Sequence, residues 1–269
     1  MGEEHWQLAG TAAQVYERHL VPAIFGPWGR RVVALAAPAA GERVLDAACG
    51  TGVVARLAAE WVGADGQVTG FDLNPGMLAV ARGLPTEAAP IGWVQATAGR
   101  MPFRDGSFEV VCCQLGLQYF PDRGAALAEL ARVSAPEGRL VVMVWRSIDH
   151  SPGFAALAAA LDRHIGPEAG AIMRAPFALG DEGVVRGLVA GAGFRDVRVD
   201  RQAGMVRFGS ARELVVAQGA GSPLAAPIEA AGPAARAELA AEVEAALAQW
   251  EDATGLAFPI EALLVSGRR

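Results

Sequence analysis

The stretch VLDAACGTGVVARLAAEWV, residues 44–62, decides the fold class, because a buried strand runs directly into a glycine turn and an amphipathic helix. A second strand, QVTGFD at residues 67–72, follows and ends in Asp72. Gly50 and Gly52 permit backbone torsions and a close ligand approach that a Cβ atom would obstruct. This order of elements is typical of an α/β domain that binds a nucleotide-like ligand.

Short strand-like runs continue to alternate with helical runs along the first half of the chain. This alternation predicts an α/β fold with a parallel sheet and crossover helices. The predicted strands cover residues 43–47, 67–72, 91–95, 108–113 and 139–146, and the predicted helices cover 53–62, 75–83 and 122–134.

The segments on either side of this alternation predict helical additions. Residues 5–37 favour two helices that form a lid, with breaks at Val21-Pro22 and Gly26-Pro27. Beyond the fifth strand, the pattern predicts further helices, two short extended stretches, a glycine- and proline-rich loop, and a last strand that returns to the sheet. The helices cover 154–165, 182–192, 211–217 and 234–250, the extended stretches 197–199 and 205–208, the loop 219–233, and the last strand 256–265.

Charge and composition narrow the class of partner. The 269-residue chain has a formal net charge of -6, which disfavours a nucleic-acid substrate and favours a small molecule. Its three cysteines lack the spacing of metal ligands, so we expect no metal site. No apolar run reaches the roughly 20 residues that span a bilayer, and the first ten residues are polar, so we expect a soluble, cytoplasmic protein without a membrane partner.

Asp72 is the strongest functional candidate. It stands 20 positions after Gly52, the separation expected when an acid at the tip of a second strand binds a ribose diol. An alternative role is to cap the helix that begins near Pro75, but Asn74 is placed better for that role. The glycine turn alone also allows a nicotinamide cofactor, with Ala55 at the third glycine position.

Three motifs in order carry a family resemblance: DAACGTG at residues 46–52, GFDLNPGML at 70–78 and MPFRDGSFEVV at 101–111. They resemble motif I, the acidic strand and the "LPFPDGSFDVV" stretch of class I S-adenosylmethionine-dependent methyltransferases of the UbiE or "methyltransferase type 11" kind. The resemblance implies a Rossmann-like, doubly wound, seven-stranded, mostly parallel sheet whose last strand is antiparallel. It further implies an N-terminal helical cap over residues 1–40 and a methyltransferase domain over 41–269, with helical additions at 147–180 and 210–254.

By position, the resemblance also assigns roles in binding S-adenosylmethionine and its product S-adenosylhomocysteine. Thr97 stands where the family often has an aspartate, so its hydroxyl would replace a carboxylate beside the adenine. The remaining assignments are Asp46, Gly50 and Gly52 around the methionine moiety, Asp72 at the ribose, and Leu73, Met77 and the Ala98 backbone at the adenine. Gln114, at the carboxyl edge of the sheet, could meet the amino-acid end of the cofactor or only end the fourth strand. Tyr16 could donate to the cofactor carboxylate if the lid closes, or belong to the core.

His150, after the fifth strand, is the candidate catalytic base for deprotonating an acceptor hydroxyl. Aromatic and apolar side chains predict an acceptor pocket, although most such side chains in proteins only pack. They are residues 115–120, Trp145, Trp6, Phe25 and Trp28.

These residues predict O-methylation, or less favourably N- or C-methylation, of a small hydrophobic metabolite such as a polyketide or quinone-like compound. They leave open whether the protein is a monomer or a homodimer. The alternatives are a protein that binds the cofactor without methylating, such as a cyclase on the same fold, a nicotinamide oxidoreductase, and a nucleic-acid methyltransferase. A methyl group added to a small molecule distinguishes the first prediction from all three alternatives.

Overall fold

The computed structural model describes residues 10–86 and 88–269, so the predicted contribution of Trp6 lies outside the described residues. Within them, one sheet contains eight strands. They are β1 (Arg43–Ala47), β2 (Gln67–Asp72), β3 (Ile91–Gln95), β4 (Phe108–Gln114), β5 (Ser134–Trp145), β6 (Arg195–Phe208), β7 (Glu251–Asp252) and β8 (Gly255–Arg268).

The sheet has the strand order β3-β2-β1-β4-β5-β8-β6, with the short β7 paired to β8. Strands β1 to β5 are parallel, and β8 runs antiparallel between β5 and β6. This arrangement confirms the predicted Rossmann-like, mostly parallel sheet with an antiparallel last strand. In the described ranges the sheet has one strand more than the seven predicted. This additional strand is the two-residue β7, which forms a hairpin with the beginning of β8.

Eleven α-helices flank this sheet in the described ranges. They are α1 (Thr11–Val15), α2 (Gly26–Ala36), α3 (Val53–Val62), α4 (Pro75–Gly83), α5 (Arg123–Val133), α6 (Pro152–His164), α7 (Pro167–Arg174), α8 (Glu182–Gly191), α9 (Ala211–Gly221), α10 (Ala225–Ala230) and α11 (Gly232–Leu247).

Helix α4 begins as the sequence predicts. The Asn74 side chain accepts hydrogen bonds from the backbone N–H groups of Gly76 and Met77, at 2.8 and 3.3 Å. Pro75 occupies the first turn, where its missing N–H removes no helical hydrogen bond. The Asn74 cap is therefore confirmed, and it leaves the neighbouring Asp72 carboxylate available for other partners.

The N-terminal segment differs from the prediction of two separate helices. Helical structure runs from Thr11 to Ala36 without interruption, and its middle, Tyr16–Phe25, is a π-helix. Pro22 lies inside this wider helix, whose hydrogen bonds already depart from the α-helical pattern. The predicted breaks were wrong because a change of helix type accommodates the proline.

Two more predictions needed correction after β5. The stretches predicted at 197–199 and 205–208 are the ends of one 14-residue strand, β6. Backbone pairing between β6 and β8 continues through the polar residues that separate the two predicted stretches. The predicted loop at 219–233 contains helix α10, so propensity for a turn was overridden by packing against α9 and α11.

The core extends across the predicted boundary near residue 40. Trp28 and Val32 of α2 are buried in the same cluster as Val44 of β1 and Val110 of β4. The Trp28 ring packs edge-to-face on Trp145, with ring centroids 5.4 Å apart. Helix α2 therefore covers one face of the sheet and stabilises it, while the π-helix before it reaches the edge where β1 and β4 end.

The strand order reverses between β1 and β4, which are neighbours in the sheet although β2 and β3 separate them in sequence. Ligands of open α/β sheets bind at such a switch point, beyond the carboxyl ends of the strands. Among residues 10–86 and 88–269, no helix is long and apolar enough to cross a bilayer.

Candidate functional site

A cavity opens at this switch point, and turns at the sheet edge together with several helices form its walls. The turns after β1, β2 and β4 form the base. The π-helix forms one side, and helices α6, α7 and α9 contribute the rest. The residues lining it include Tyr16, Leu20, Ile24, Phe25, Asp46, Ala48, Gly50, Asp72, Leu73, Asn74, Met77, Thr97, Ala98, Gln114, Leu115, Gln118, Trp145, Phe154, Phe177 and Gln218.

Asp72 connects the turns after β1 and β2. Its Oδ2 atom accepts a hydrogen bond from the Gly50 N–H at 2.8 Å, and its Oδ1 atom accepts one from the Asn74 N–H at 2.8 Å. Gly50 has a φ of 54°, in the left-handed region that favours glycine. The carboxylate thus holds the glycine turn in place and still lines the cavity.

Asp46 is 1% exposed at the end of β1, and it accepts a hydrogen bond from the Ala55 N–H at 2.9 Å. Burial raises the pKa of Asp46 to about 8, because desolvation of the carboxylate outweighs the Ala55 hydrogen bond. Burial also raises the pKa of Asp72, against the opposing effect of its backbone hydrogen bonds. Both acids line the cavity, and a cationic ligand bound beside them would favour their ionised forms.

Gly50 and Gly52 have different surroundings. Gly50 lines the cavity, and a Cβ atom added there would meet one described neighbour within 4 Å, Tyr16 Oη at 3.9 Å. Gly52 is outside the cavity lining, and its added Cβ would lie 2.1 Å from the indole of Trp93. The structure therefore places Gly50 at the site, whereas Gly52 allows Trp93 of β3 to pack closely.

The residues assigned to an adenine ring lie together. Leu73, Met77, Thr97 and Ala98 all line the cavity. Thr97 is exposed and forms an isolated backbone bridge with Arg100. The side-chain amide of Gln95 donates a hydrogen bond to the Leu73 carbonyl at 3.2 Å and supports this wall. The structure brings this group of predicted residues to one end of the cavity.

Tyr16 and Gln114 also line the cavity, and both contact Phe25. The Tyr16 ring stacks on Phe25 with centroids 4.9 Å apart. Gln114 donates from Nε2 to the Phe25 carbonyl at 2.9 Å, which joins the end of β4 to the π-helix. Burial, with smaller effects of nearby acidic groups, raises the pKa of Tyr16 well above its ordinary value, so its hydroxyl stays protonated.

His150 is not brought to this site. It ends a short 3-10 helix, Ile148–His150, and its Nδ1 atom lies 3.9 Å from Glu261 Oε2. It is absent from the described residues that line the cavity. Trp28 is likewise buried in the core, whereas Phe25 and Trp145 line the cavity as predicted. The structure therefore gives His150 no contact with the site that would support a role as a base.

The sequence analysis missed two strained positions. Ala48 and Leu115 line the cavity with φ values of 54° and 58°, in a region that residues with a Cβ rarely adopt. A signal existed for Ala48, because it occupies a motif I position where glycine is frequent. Leu115 belongs to the stretch 115–120 predicted to line an acceptor pocket, but its strain had no local signal, since its backbone is set by the end of β4 and its hydrogen bond to the Met143 carbonyl.

Four lining residues from the helical additions were also missed as site residues: Phe154, Phe177, Met173 and Gln218. Phe154 and Phe177 pack against each other with centroids 5.7 Å apart. Their positions depend on how α6, α7 and α9 fold back over the sheet edge. Local periodicity predicts the helices themselves, but it does not show which of their faces meets the cavity.

Comparisons with known proteins agree with this geometry. A family model described as "Methyltransferase domain" matches residues 45–142. The chain is 40% identical over 124 residues to the ubiquinone/menaquinone biosynthesis C-methyltransferase UbiE of Stenotrophomonas maltophilia, covering 45% of this chain and 49% of that protein. It is 42% identical over 117 residues to the demethylmenaquinone methyltransferase of Thermus thermophilus, covering 43% and 53%. The chain thus spans about half the length of these curated relatives.

The fold is also similar to that of a solved structure, the YcgJ protein of Bacillus subtilis. The TM-score is 0.57 at 18% identity, and the match covers 90% of this chain and 98% of that one. The likeness extends well beyond residues 45–142, so it includes the segments that flank the family match. At 18% identity, this similarity shows that the two proteins share a fold.

Proposed function

This chain carries a class I S-adenosylmethionine-dependent methyltransferase domain, and from that premise we propose that the protein methylates a small apolar acceptor in its cavity. The observation that carries the proposal is the continuity of that cavity. It runs from Asp72 and Gly50 at the sheet edge to Phe154 and Phe177 in the helical additions. One cavity therefore provides both a polar end and an apolar end.

The residues present fit the cofactor. The space beside Gly50, where an added Cβ would meet only Tyr16 Oη within 4 Å among its described neighbours, allows a ligand to approach the backbone. Gln114 Oε1 and Asn74 Nδ2 are buried atoms of lining residues without a hydrogen-bond partner in the part of the chain that the structure describes. Buried polar atoms are normally satisfied, so both favour a ligand with donors and acceptors.

When bound, S-adenosylmethionine supplies a sulfonium methyl group whose transfer releases a neutral thioether. Asp72 would hold the ribose hydroxyls, and Asp46 and Asp72 would favour the positive charge. Leu73, Met77, Thr97 and Ala98 would enclose the adenine, and Gln114 and Tyr16 the amino-acid end. The aromatic wall excludes water from the acceptor and orients it, which contributes to the rate without a general base.

The segments 147–180 and 210–254, with part of the N-terminal segment 1–40, would form the acceptor side of the site, whereas the sheet edge would bind the cofactor. Phe154 and Phe177, from segment 147–180, line the cavity, and so does Gln218 from segment 210–254. The lining is mostly apolar there, which suits a hydrophobic metabolite better than a charged one.

The acceptor is proposed to be a quinol-like ring, because both relatives are named for methylation in quinone biosynthesis or of a quinone, and the C-methyltransferase UbiE favours transfer to carbon over the oxygen expected from the sequence. Incubation with isotope-labelled S-adenosylmethionine and naphthohydroquinone, kept reduced, should give a singly methylated product. Mass spectrometry detects the transfer, and the NMR shift of the labelled methyl distinguishes carbon from oxygen. Binding of S-adenosylhomocysteine without any methylated product would instead favour a non-methylating role, such as a cyclase.

The charge of the cavity predicts a pH dependence of cofactor binding. With a pKa of about 8, Asp46 is mostly neutral at lower pH and becomes a carboxylate as the pH rises. The carboxylate attracts the sulfonium of S-adenosylmethionine more than the neutral sulfur of S-adenosylhomocysteine. The ratio of the two affinities should therefore shift toward S-adenosylmethionine by about fivefold between about pH 6 and about pH 9.

Calorimetric titration with both compounds across this pH range checks the prediction. Both compounds carry the same amino-acid group, so the effect of its titration on affinity cancels in the ratio. Asp46→Asn should flatten the dependence while preserving an acceptor for the Ala55 N–H. Other charged groups that influence Asp46 are Asp72 and Arg56. If the ratio of affinities depends on pH in Asp46→Asn as strongly as in the wild type, the effect belongs to one of these groups and not to Asp46.

A further inference from the structure

Helix α9 presents one polar residue on its buried face. Leu214, Gln218 and Gly221 are spaced four and three residues apart and so share a face. Leu214 is fully buried and Gln218 is only 5% exposed. Buried positions of a helix are usually apolar, so a buried glutamine is the informative member of this stripe.

The side-chain amide of Gln218 has no hydrogen-bond partner among the described residues. The hydrogen bond recorded for this residue uses its backbone carbonyl, which accepts from the Ser222 hydroxyl at 2.5 Å. The side chain lines the cavity. Because the amide atoms are not sealed from the cavity, a ligand there can supply the partner that the described protein groups do not.

The surroundings of Gln218 fix its position and leave it as a polar group on an apolar wall. The end of α9 lies against the π-helix, where a Cβ atom added at Gly221 would be 3.1 Å from the Tyr16 backbone nitrogen. Leu20 and Ile24 of the π-helix and Pro223 after α9 are apolar lining residues, and the hydroxyl of the polar Ser222 already donates to the Gln218 carbonyl. Close packing of α9 therefore keeps the Gln218 amide at the cavity.

We propose that Gln218 recognises the acceptor by hydrogen bonding to an oxygen substituent on an otherwise apolar ring. This inference rests on the proposed function and deepens it by naming the specificity-determining residue. A primary amide can donate to a carbonyl and accept from a hydroxyl, so it matches a ring carrying either group. A carboxylate would match the hydroxyl form alone, and an ammonium group would lack an acceptor.

The test compares two ligands of nearly equal shape, α-naphthol and α-methylnaphthalene, which differ by a hydroxyl in place of a methyl. In the presence of S-adenosylhomocysteine, the wild-type protein should bind α-naphthol about fivefold more tightly, as one net hydrogen bond allows. Gln218→Met retains the side-chain length and removes the amide, so it should abolish this preference. Gln249→Met, at an exposed position, is the matched control and should retain it.

Two further measurements separate recognition from a structural role. Gln218→Met breaks no side-chain hydrogen bond among the described residues and places an apolar side chain at a largely buried position, so its melting temperature should equal that of the wild type or exceed it by about 2 °C. Its affinity for S-adenosylhomocysteine should be unchanged. A preference for α-naphthol that survives in Gln218→Met, or equal binding of both ligands by the wild type, overturns the inference. Weaker S-adenosylhomocysteine binding by Gln218→Met also overturns it, by assigning the amide to the cofactor.

Failure of the proposed function gives a different result. If the wild-type protein does not bind S-adenosylhomocysteine, the cofactor site itself is refuted, and the inference fails with it. If S-adenosylhomocysteine binds but neither aromatic ligand does, the cofactor site stands and the proposed apolar acceptor class is wrong. Calorimetry on the wild type distinguishes these cases before any variant is examined.

Discussion

Asp72→Asn should weaken binding of S-adenosylhomocysteine by about 100-fold, because a neutral amide replaces a carboxylate that would accept from the ribose hydroxyls. Charge-assisted hydrogen bonds are the strong ones, and the ribose offers two donors. The substitution also disturbs the turn, since an asparagine cannot accept from both the Gly50 and Asn74 N–H groups as the two carboxylate oxygens do. Both consequences act on affinity in the same direction.

Isothermal titration calorimetry with S-adenosylhomocysteine measures this effect. Asp65→Asn is the matched control, because it also replaces a carboxylate by an amide. Asp65 is exposed in the turn between α3 and β2. A thermal melt of each variant distinguishes lost affinity from unfolding. An unchanged dissociation constant in a folded Asp72→Asn variant would contradict the assignment of Asp72 to the ribose.

Gly52→Ala should lower the free energy of unfolding by about 3–5 kcal/mol, through left-handed backbone strain and a steric clash. Gly52 has a φ of 84°, and its added Cβ would lie 2.1 Å from Trp93 Cη2 and 2.7 Å from Cζ3. The same indole lies against Gly70 on β2, where an added Cβ would be 2.5 Å from Cζ3. Trp93 therefore has little room to move away.

Gly41→Ala isolates the clash from the backbone strain. Gly41 has a nearly identical φ of 82°, and an added Cβ would meet nothing within 4 Å. It should lose only about 1–2 kcal/mol, the cost of placing an L-residue in the left-handed region. Urea denaturation of both variants gives the comparison, and equal losses would show that Trp93 does not constrain Gly52.

Features within a few residues of one another were predictable from the sequence. The β1 strand, its glycine turn and the acid at the end of β2 were all predicted because each depends on local hydrophobicity and backbone torsion. The Asn74 cap followed from side-chain chemistry two positions away. Parallel strands bring their carboxyl ends to one edge, so the meeting of Gly50 and Asp72 followed from the fold.

Features that depend on distant packing were not predictable. His150 follows the correct strand, yet the chain turns so that its ring faces Glu261 and not the cavity. Gln218 occupies an alanine-rich helix with weak amphipathic character, and its burial results from contact between α9 and a helix about 200 positions earlier. No spacing rule in a single sequence encodes that contact.

The π-helix determines which side chains form one wall of the cavity. Tyr16 and Phe25 are nine residues apart, which in an α-helix is about two and a half turns and would point their side chains in opposite directions. The wider winding of Tyr16–Phe25 turns both rings to the same side, where they stack. Removing one residue from this segment, so that it wound as an α-helix, would separate the two rings by about 80° around the helix axis and end their stacking. The winding of a single helix thus determines whether Tyr16 and Phe25 line the cavity side by side.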